Sequence, residues 1–305
     1  MSSDLLTATR LATLRRCPRQ HFLRYELGLA RVRKAAPLRF GAGFHQGLEL
    51  YRSGLSSDLA VQAAAEAYET CPDWAEPTAW AVEGETLRAL LAGHFWRYQD
   101  DDIEFLAAEQ VFELPFAECG GFLLAGKMYG IVRLPDGRLA VLEYKTAGED
   151  ISRDAAYWLR LRWDGQISLY VLAARALGHD VAAVVYDVTR KPTIRLRKGE
   201  TPEAYGERLL KDIGDRPDYY FQRREIPCLE DQFGAFGAEL RQQAELLAEC
   251  RRRGWWFRNV SALTCRNCQY SEFCLAGVTI GPDGPPPSGF EFLPDVHPEL
   301  AAEEA

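Results

Sequence analysis

The chain has 305 residues, of which 47% are hydrophobic and 26% are charged, a composition typical of soluble globular proteins with a sizeable core. No apolar run reaches the roughly 18 residues of a membrane span, and the N-terminus lacks an apolar signal segment, so we expect a cytoplasmic protein without membrane contact. The net charge of −8 argues against a uniformly basic surface.

The first predicted element is a helix over residues 5–27, which carries Cys17. Residues 1–40 contain nine Lys or Arg and two acidic residues, so this segment carries +7 and the remainder of the chain −15. A basic segment in an otherwise acidic chain indicates either a surface that binds phosphates or an ordinary solvated helix face. Its candidate phosphate contacts are Arg15, Arg16, Arg19 and Arg24.

The hydrophobic pattern then changes from helical to strand-like and back. Asp136-Gly137 marks a hairpin turn between two of the strands. The Pro- and Gly-rich segment from Gly281 on has no Lys or Arg, which predicts a disordered or surface-draped acidic tail. The predicted helices are 41–70, Pro77 to Tyr98, 153–177, 202–214 and 230–253, and the predicted strands are 104–117, 121–134, 139–146, 181–189 and 193–198.

This order predicts an α/β fold with a mixed sheet flanked by helices. The corresponding regions are a basic helical arm (1–40), a helical region (41–100), an α/β core (101–200), C-terminal helices with clustered cysteines (201–280) and the tail (281–305).

Three cysteines near the C-terminus have the spacing of metal ligands. Cys265-x2-Cys268-x5-Cys274 supplies three thiols within ten residues, and Cys17, in "RRCPRQHF", is the best candidate for a fourth. Zinc ribbons usually pair two CxxC motifs, so the spacing favours a [4Fe–4S] cluster over zinc. Such a cluster would join the N- and C-terminal helices and stabilise the fold by closing a long loop.

A second candidate site lies in the predicted strand "RLAVLEYKT". Glu143 and Lys145 are two residues apart and therefore project from the same face. They form either a surface ion pair or a site at which the carboxylate binds a divalent metal and the lysine acts on a water molecule. Gln166 and Tyr170 share one face of the following helix, where they form either a polar pair or contacts to phosphate.

The ordered motifs "CPRQHF", "FGAGFHQGLE", "LEYKT", "QISLY" and "CRNCQYSEFC" resemble the PD-(D/E)xK nucleases of the RecB/AddB type. The resemblance covers roughly residues 5–280 and is nearest to RecB-like exonucleases with a four-cysteine iron–sulfur cluster, including CRISPR-associated ones. It implies a restriction-endonuclease-like sheet, Mg or Mn as cofactor, and hydrolysis of DNA at single strands or duplex ends.

The resemblance also implies residue roles. His45 would be a metal ligand, Glu143 the acidic ligand of the signature, Lys145 the catalytic lysine and Glu109 a supporting carboxylate. Gln166 and Tyr170 would line the site and contact DNA, together with the basic arm. The chain contains no P-loop, so an ATP-driven helicase, like any recombination or CRISPR partner, would be a separate protein.

One position departs from this family. The family strand carries a central metal-binding Asp where "LAGKMYGIVRL" has Tyr129. A phenol is protonated at neutral pH and is a poor ligand for Mg or Mn, so metal binding and cleavage should be severely weakened. The sequence therefore predicts an impaired DNA nuclease or, alternatively, a non-cleaving DNA-binding relative.

Overall fold

The structure is a computed structural model that describes residues 4–116, 121–228, 230–281 and 284–300, apart from the side chains of residues 108 and 109. One six-stranded mixed sheet and one two-stranded sheet organise these residues. The strands are β1 (Leu5–Leu6), β2 (Leu29–Arg31), β3 (Glu104–Pro115), β4 (Leu123–Arg133), β5 (Leu139–Ala147), β6 (Val181–Arg190), β7 (Phe221–Pro227) and β8 (Phe290–Phe292).

Most of the longer helices begin at a residue whose side chain accepts a hydrogen bond from the first turn, as at Thr7, Ser56 and Thr201. None of the helices in the described ranges is long and apolar enough to cross a lipid bilayer. The α-helices are α1 (Ala8–Arg16), α2 (Pro18–His21), α3 (Ala36–Arg52), α4 (Ser57–Ala65), α5 (Pro77–Arg97), α6 (Ala156–Leu161), α7 (Gly165–Ala176), α8 (Pro202–Asp215), α9 (Pro217–Tyr220), α10 (Glu230–Arg253), α11 (Ala262–Arg266) and α12 (Ser271–Leu275).

The sheet forks along β4. One side of β4 pairs with β3 along its whole length, whereas the other side pairs with β1 at residues 123–124 and with β5 at residues 130–133. The antiparallel pairing with β5 ends at Gly130 and Leu142, so the next two positions in register, Tyr129 and Glu143, do not pair with each other. We call the point where β4 and β5 separate the fork. Beyond β5 the sheet continues with parallel β6 and antiparallel β7.

Two apolar clusters pack on opposite faces of this sheet. One joins the sheet to α1, α6, α7 and α10, and the other joins it to α3, α4, α5 and α8. Alternation along β5 sends Val141 into the first cluster and Leu142 and Tyr144 into the second. The predicted mixed sheet flanked by helices is therefore confirmed.

Several predicted helices are interrupted for local reasons. The helix predicted over residues 5–27 breaks at Cys17, which is extended (φ −166°, ψ 113°) because the following Pro18 disfavours the helical region. The helix predicted over 153–177 breaks before Asp164, which caps α7. The prediction over 41–70 covers α3 and α4, and residues 193–198 do not form the predicted strand.

The hairpin turn predicted between β4 and β5 is confirmed. Gly137 has a φ of +88°, a conformation that glycine adopts without steric cost, and its N–H donates to the carbonyl of Leu134 at 2.8 Å. Asp136 at the tip pairs with Arg138 and lies in solvent, so this carboxylate belongs to the turn.

The two chain ends meet on the body of the protein. β1 is part of the main sheet, and the guanidinium of Arg10 is buried in ion pairs with Asp4 (2.6 Å) and Glu26 (3.1 Å). Arg251 at the end of α10 pairs with the same two carboxylates. The basic segment is thus partly an internal structural element, in contrast to the arm that the sequence predicts.

Residues 284–300 of the predicted tail lie along the surface and contain two short regular elements. β8 pairs antiparallel with β2, with Ala30 opposite Glu291. A short 3-10 helix, Pro298–Leu300, then packs near β4. Residues 301–305 of the predicted tail lie outside the described residues.

Candidate functional site

A buried polar cluster forms where β5 meets the start of α7. The ammonium of Lys145 lies 3.2 Å from Glu143 Oε1 and 3.0 Å from Asp164 Oδ2, and it donates to Gln166 Oε1 at 3.2 Å. The Gln166 amide in turn donates to the Tyr170 hydroxyl at 3.0 Å. Strand alternation and one turn of α7 thus bring together the four residues Glu143, Lys145, Gln166 and Tyr170.

The charges in this cluster hold Lys145 as an ammonium ion. Burial alone would lower the pKa of Lys145, but the carboxylates of Glu143 and Asp164 outweigh it and raise this pKa. Burial raises the pKa of Glu143 to about 7, against the opposing attraction of Lys145. At neutral pH Lys145 therefore supplies positive charge and hydrogen-bond donors, and it is not a base.

Aromatic side chains occupy the opposite face of the sheet at the fork. The rings of His45 and Tyr129 stack with centroids 4.4 Å apart and an interplanar angle of 13°. Tyr129 also meets Tyr144 edge to face at 6.0 Å, which places its ring toward the opposite face of the sheet from Glu143. Burial, followed by the positive charges of Lys145 and Lys127, lowers the pKa of His45 to about 4, so this imidazole is neutral at pH 7.

A cavity of about 310 Å³ opens at the fork and touches both sides of it. A second cavity of about 190 Å³ lies on the other side of the His45–Tyr129 stack, beside Arg52, Phe105 and Tyr144. A larger opening of about 470 Å³ beside Asp100, Asp101 and Asp102 has none of the predicted site residues in its wall. The fork cavity is lined by His45, Lys127, Tyr129, Gln166, Tyr170 and Glu299, among others.

The residues at the fork fit a divalent cation only in part. Glu143 Oε2 is buried and has no hydrogen-bond partner among the described residues, so one carboxylate oxygen is available to a cation. Within the same part of the chain, however, no three His, Cys, Asp or Glu side chains converge as metal ligands. The side chain of Glu109 lies outside the described residues. Tyr129 supplies a phenol and a ring where a second carboxylate is expected.

The four predicted cluster cysteines line one small cavity. Cys17 reaches it from the break between α1 and α2, and Cys265, Cys268 and Cys274 reach it from α11, α12 and the loop between them. All four are free thiols, and the N–H of Asn259 donates to Cys17 Sγ at 3.4 Å. Burial raises the pKa of Cys268, and the other three thiols raise it further. The four thiols are therefore the right type of ligand for a thiolate-bound metal. Among the described residues, however, their side chains do not converge into a closed ligand shell.

The four predicted phosphate contacts divide into two pairs. Arg15 and Arg16 are exposed at the end of α1, and the Arg15 guanidinium reaches within 3.4 Å of the position that a Cβ on Gly165 would take. Arg19 and Arg24 instead lie over the rings of Phe22 (5.0 Å) and Tyr25 (5.1 Å). Of the four, Arg15 and Arg16 are the exposed pair, and Arg15 lies beside the start of α7.

Sequence reasoning missed Asp164, which is the third charged member of the Lys145 cluster. Its backbone is extended, and its side chain accepts from Gln166 N–H at 2.9 Å, as expected of a helix N-cap. The dipeptide Asp164-Gly165 is a turn signal that could have identified it. The prediction of one continuous helix over 153–177 concealed that signal.

Comparison with known proteins identifies the class of fold. The family model described as the PD-(D/E)XK nuclease superfamily matches residues 5–275, so the chain belongs to this superfamily. A comparison with curated proteins finds no match.

Solved structures resemble the chain at low sequence identity. The crystal structure of a "Putative exonuclease" from Eubacterium rectale is 10% identical, covers 91% of this chain and 90% of its own, and has a TM-score of 0.50. The crystal structure of SSO0001 is 15% identical over 92% of this chain and 89% of its own, with a TM-score of 0.39. At these identities the first likeness concerns the fold alone.

Proposed function

We propose that this protein binds DNA at the fork between β4 and β5, and that its metal-dependent hydrolysis of phosphodiesters is impaired. Membership of the nuclease superfamily supports the choice of DNA as the ligand. The observation that carries the proposal of impairment is the stack of His45 on Tyr129 beside a complete Glu143–Lys145–Gln166 cluster. If the impairment is complete, the protein binds DNA without cutting it, which is the alternative that the sequence predicts.

The residues at the fork have the chemistry to bind a phosphate. The Lys145 ammonium provides a fixed positive charge, and the Gln166 amide and Tyr170 hydroxyl provide oriented donors from one face of α7. Exposed Arg15 adds a positive charge beside the start of α7, and Arg16 is exposed next to it in the chain. Phosphate contacts of this kind position a strand without reading its sequence.

A divalent cation would supply Lewis-acid stabilisation of the charge that develops on phosphate. Glu143 is the one described carboxylate with an unused buried oxygen, and magnesium or manganese ordinarily takes several oxygen ligands. Because the Tyr129 phenol does not replace a carboxylate, the residues present do not complete such a site, and cleavage should be slow.

The test is a nuclease assay with manganese on end-labelled single-stranded DNA. It compares the unchanged chain with Tyr129→Asp, which restores a carboxylate, and with Tyr129→Phe, which removes the hydroxyl but adds no ligand. We expect only Tyr129→Asp to cut, with a rate gain of at least about a hundredfold. Adding Glu143→Gln to this variant should abolish the gain.

Two other outcomes would change the proposal. Equal cutting by all three proteins would mean that a carboxylate other than one at position 129 holds the cation. Failure of all three to bind DNA in a filter-binding assay at low salt would overturn the proposed function as a whole.

We also propose that Cys17, Cys265, Cys268 and Cys274 hold a [4Fe–4S] cluster, with zinc as the alternative. The support is that four free thiols, one from the N-terminal region and three from the C-terminal region of the chain, line the same cavity. Iron, sulfide and zinc contents of anaerobically purified protein distinguish the two metals. Absence of both metals, with unchanged thermal stability in Cys268→Ser, would contradict the proposal.

A further inference from the structure

The C-terminal segment runs from the edge of the second sheet to the entrance of the fork cavity. β8 is held on β2 by an antiparallel ladder, and the N–H of Leu293 donates to the carbonyl of Gly28 at 2.8 Å. The chain then leads to the 3-10 helix Pro298–Leu300 beside β4. Glu299 in this helix lines the same cavity as Lys127, Gln166 and Tyr170.

Specific contacts hold the Glu299 carboxylate at this entrance. The hydroxyl of Thr7 donates to Glu299 Oε1 at 3.0 Å, and Nδ1 of the buried His297 ring lies 3.3 Å from the same oxygen. Thr7 also caps α1, so the carboxylate is tied to a fixed point at the edge of the cavity. The Glu299 side chain is nevertheless 37% exposed, so it faces both the solvent and the cavity.

The C-terminal segment is acidic, whereas the N-terminal segment that Glu299 contacts through Thr7 is basic. Residues 281–305 contain six acidic residues and no Lys or Arg, whereas residues 1–40 carry +7. A carboxylate at the entrance places negative charge where the phosphates of a nucleic acid would have to pass. Like charges at such a position reduce affinity for a polyanion, most strongly at low ionic strength.

We propose that residues 293–300 form an autoinhibitory strap, which competes with the DNA backbone for the entrance of the fork cavity. The strap rests on the proposed function, since it regulates the same DNA site. Glu299 is its competing anion, and the β2–β8 ladder is its anchor. DNA binding displaces the 3-10 helix while the ladder stays paired.

The experiment measures binding of a fluorescent single-stranded oligonucleotide to three full-length proteins at low salt. Glu299→Gln keeps the shape of the side chain and removes its charge. Glu291→Gln is the matched control, because Glu291 is an exposed carboxylate of the same tail within β8. We expect Glu299→Gln to bind about three- to tenfold more tightly than the unchanged chain, and Glu291→Gln to differ by less than about twofold.

Hydrogen exchange of the unchanged protein provides an independent readout. The amides of Val296, His297, Glu299 and Leu300 should exchange faster in the presence of the oligonucleotide, whereas those of β8 should keep their protection. Equal DNA affinity of all three proteins, or slower exchange of residues 296–300 on binding, overturns the strap but leaves DNA binding intact. Absence of binding by every protein overturns the proposed function and the strap together.

Discussion

The protein contains two buried charge clusters that use similar groups for different purposes. At the chain ends, Arg10 joins Asp4 and Glu26, with Nε donating to His21 at 3.1 Å. At the fork, Lys145 joins Glu143, Asp164 and Gln166. Both clusters place a cation between two carboxylates, away from most of the solvent.

The clusters differ in what surrounds them. The terminal cluster connects residues more than 200 positions apart, since Glu26 and Asp4 also pair with Arg251. The fork cluster connects residues of β5 with the start of α7, keeps an unpaired Glu143 oxygen, and adjoins a cavity through Gln166. The first arrangement stabilises the closure of the chain, and the second keeps polar groups available to a ligand.

The largest expected effect is on stability at the terminal cluster. Arg10→Met should remove the central cation from Asp4 and Glu26 and lower the free energy of unfolding by about 3–5 kcal/mol, because two partly buried carboxylates lose a partner. Urea denaturation measures this loss. Arg138→Met is the control, since its ion pairs lie on the exposed hairpin, and it should leave the midpoint unchanged. Similar urea midpoints for both variants would show that the buried ion pairs of Arg10 contribute no more to stability than the exposed ion pairs of Arg138.

A smaller loss of stability is expected at the fork. Lys145→Met should lower the free energy of unfolding by about 2–3 kcal/mol at pH 8, because Glu143 and Asp164 then face each other without a cation. Glu143 already has a pKa raised to about 7 by burial, and loss of Lys145 raises it further. Protonation of Glu143 therefore offsets part of the loss at pH 6. Urea midpoints at the two pH values, measured with chelator, test this, and an equal loss at both would contradict it.

The pH dependence of stability should come partly from the terminal cluster. Burial, followed by the charge of Arg10, lowers the pKa of His21 to about 3, so between about pH 3 and 6.5 the unfolded chain binds the proton and the folded one does not. The contribution of His21 is complete above pH 6.5 and is lost as the pH falls, by about 2 kcal/mol at pH 5. His21→Gln should flatten this part of the urea-midpoint profile. If the urea midpoint of that variant changes with pH as steeply as that of the unchanged chain, groups other than His21 cause the pH dependence.

The smallest expected effect concerns cation binding at the aromatic side of the fork. Manganese should stabilise Tyr129→Asp by about 1.4 kcal/mol at ten times its dissociation constant, and it should leave the unchanged chain and Tyr129→Phe unaffected. Thermal denaturation with and without manganese measures this shift without any substrate. Equal stabilisation of the unchanged chain would show that the stack of His45 on Tyr129 does not prevent cation binding.

Local sequence signals predicted the parts of the fold that depend on neighbouring residues. Alternation placed Glu143 and Lys145 on one face of β5 and Tyr144 on the other, and Asp136-Gly137 identified the hairpin. Helix ends were less predictable, because caps such as Asp164 lie within segments whose apolar pattern continues across them. Charge counting identified a basic N-terminal segment but did not separate buried Arg10 from exposed Arg15.

The sequence by itself determined the class of fold, the superfamily and the absence of a carboxylate at position 129, since these depend on residue type, order and spacing. Only the tertiary structure decided that Tyr129 stacks on His45, that Asp164 shares Lys145 with Glu143, and that Glu299 reaches the same cavity from the tail. These contacts join residues from 19 positions apart, as for Lys145 and Asp164, to 292 positions apart, as for Thr7 and Glu299. They depend on where β4 and β5 separate and how the chain ends pack, which a local pattern does not encode.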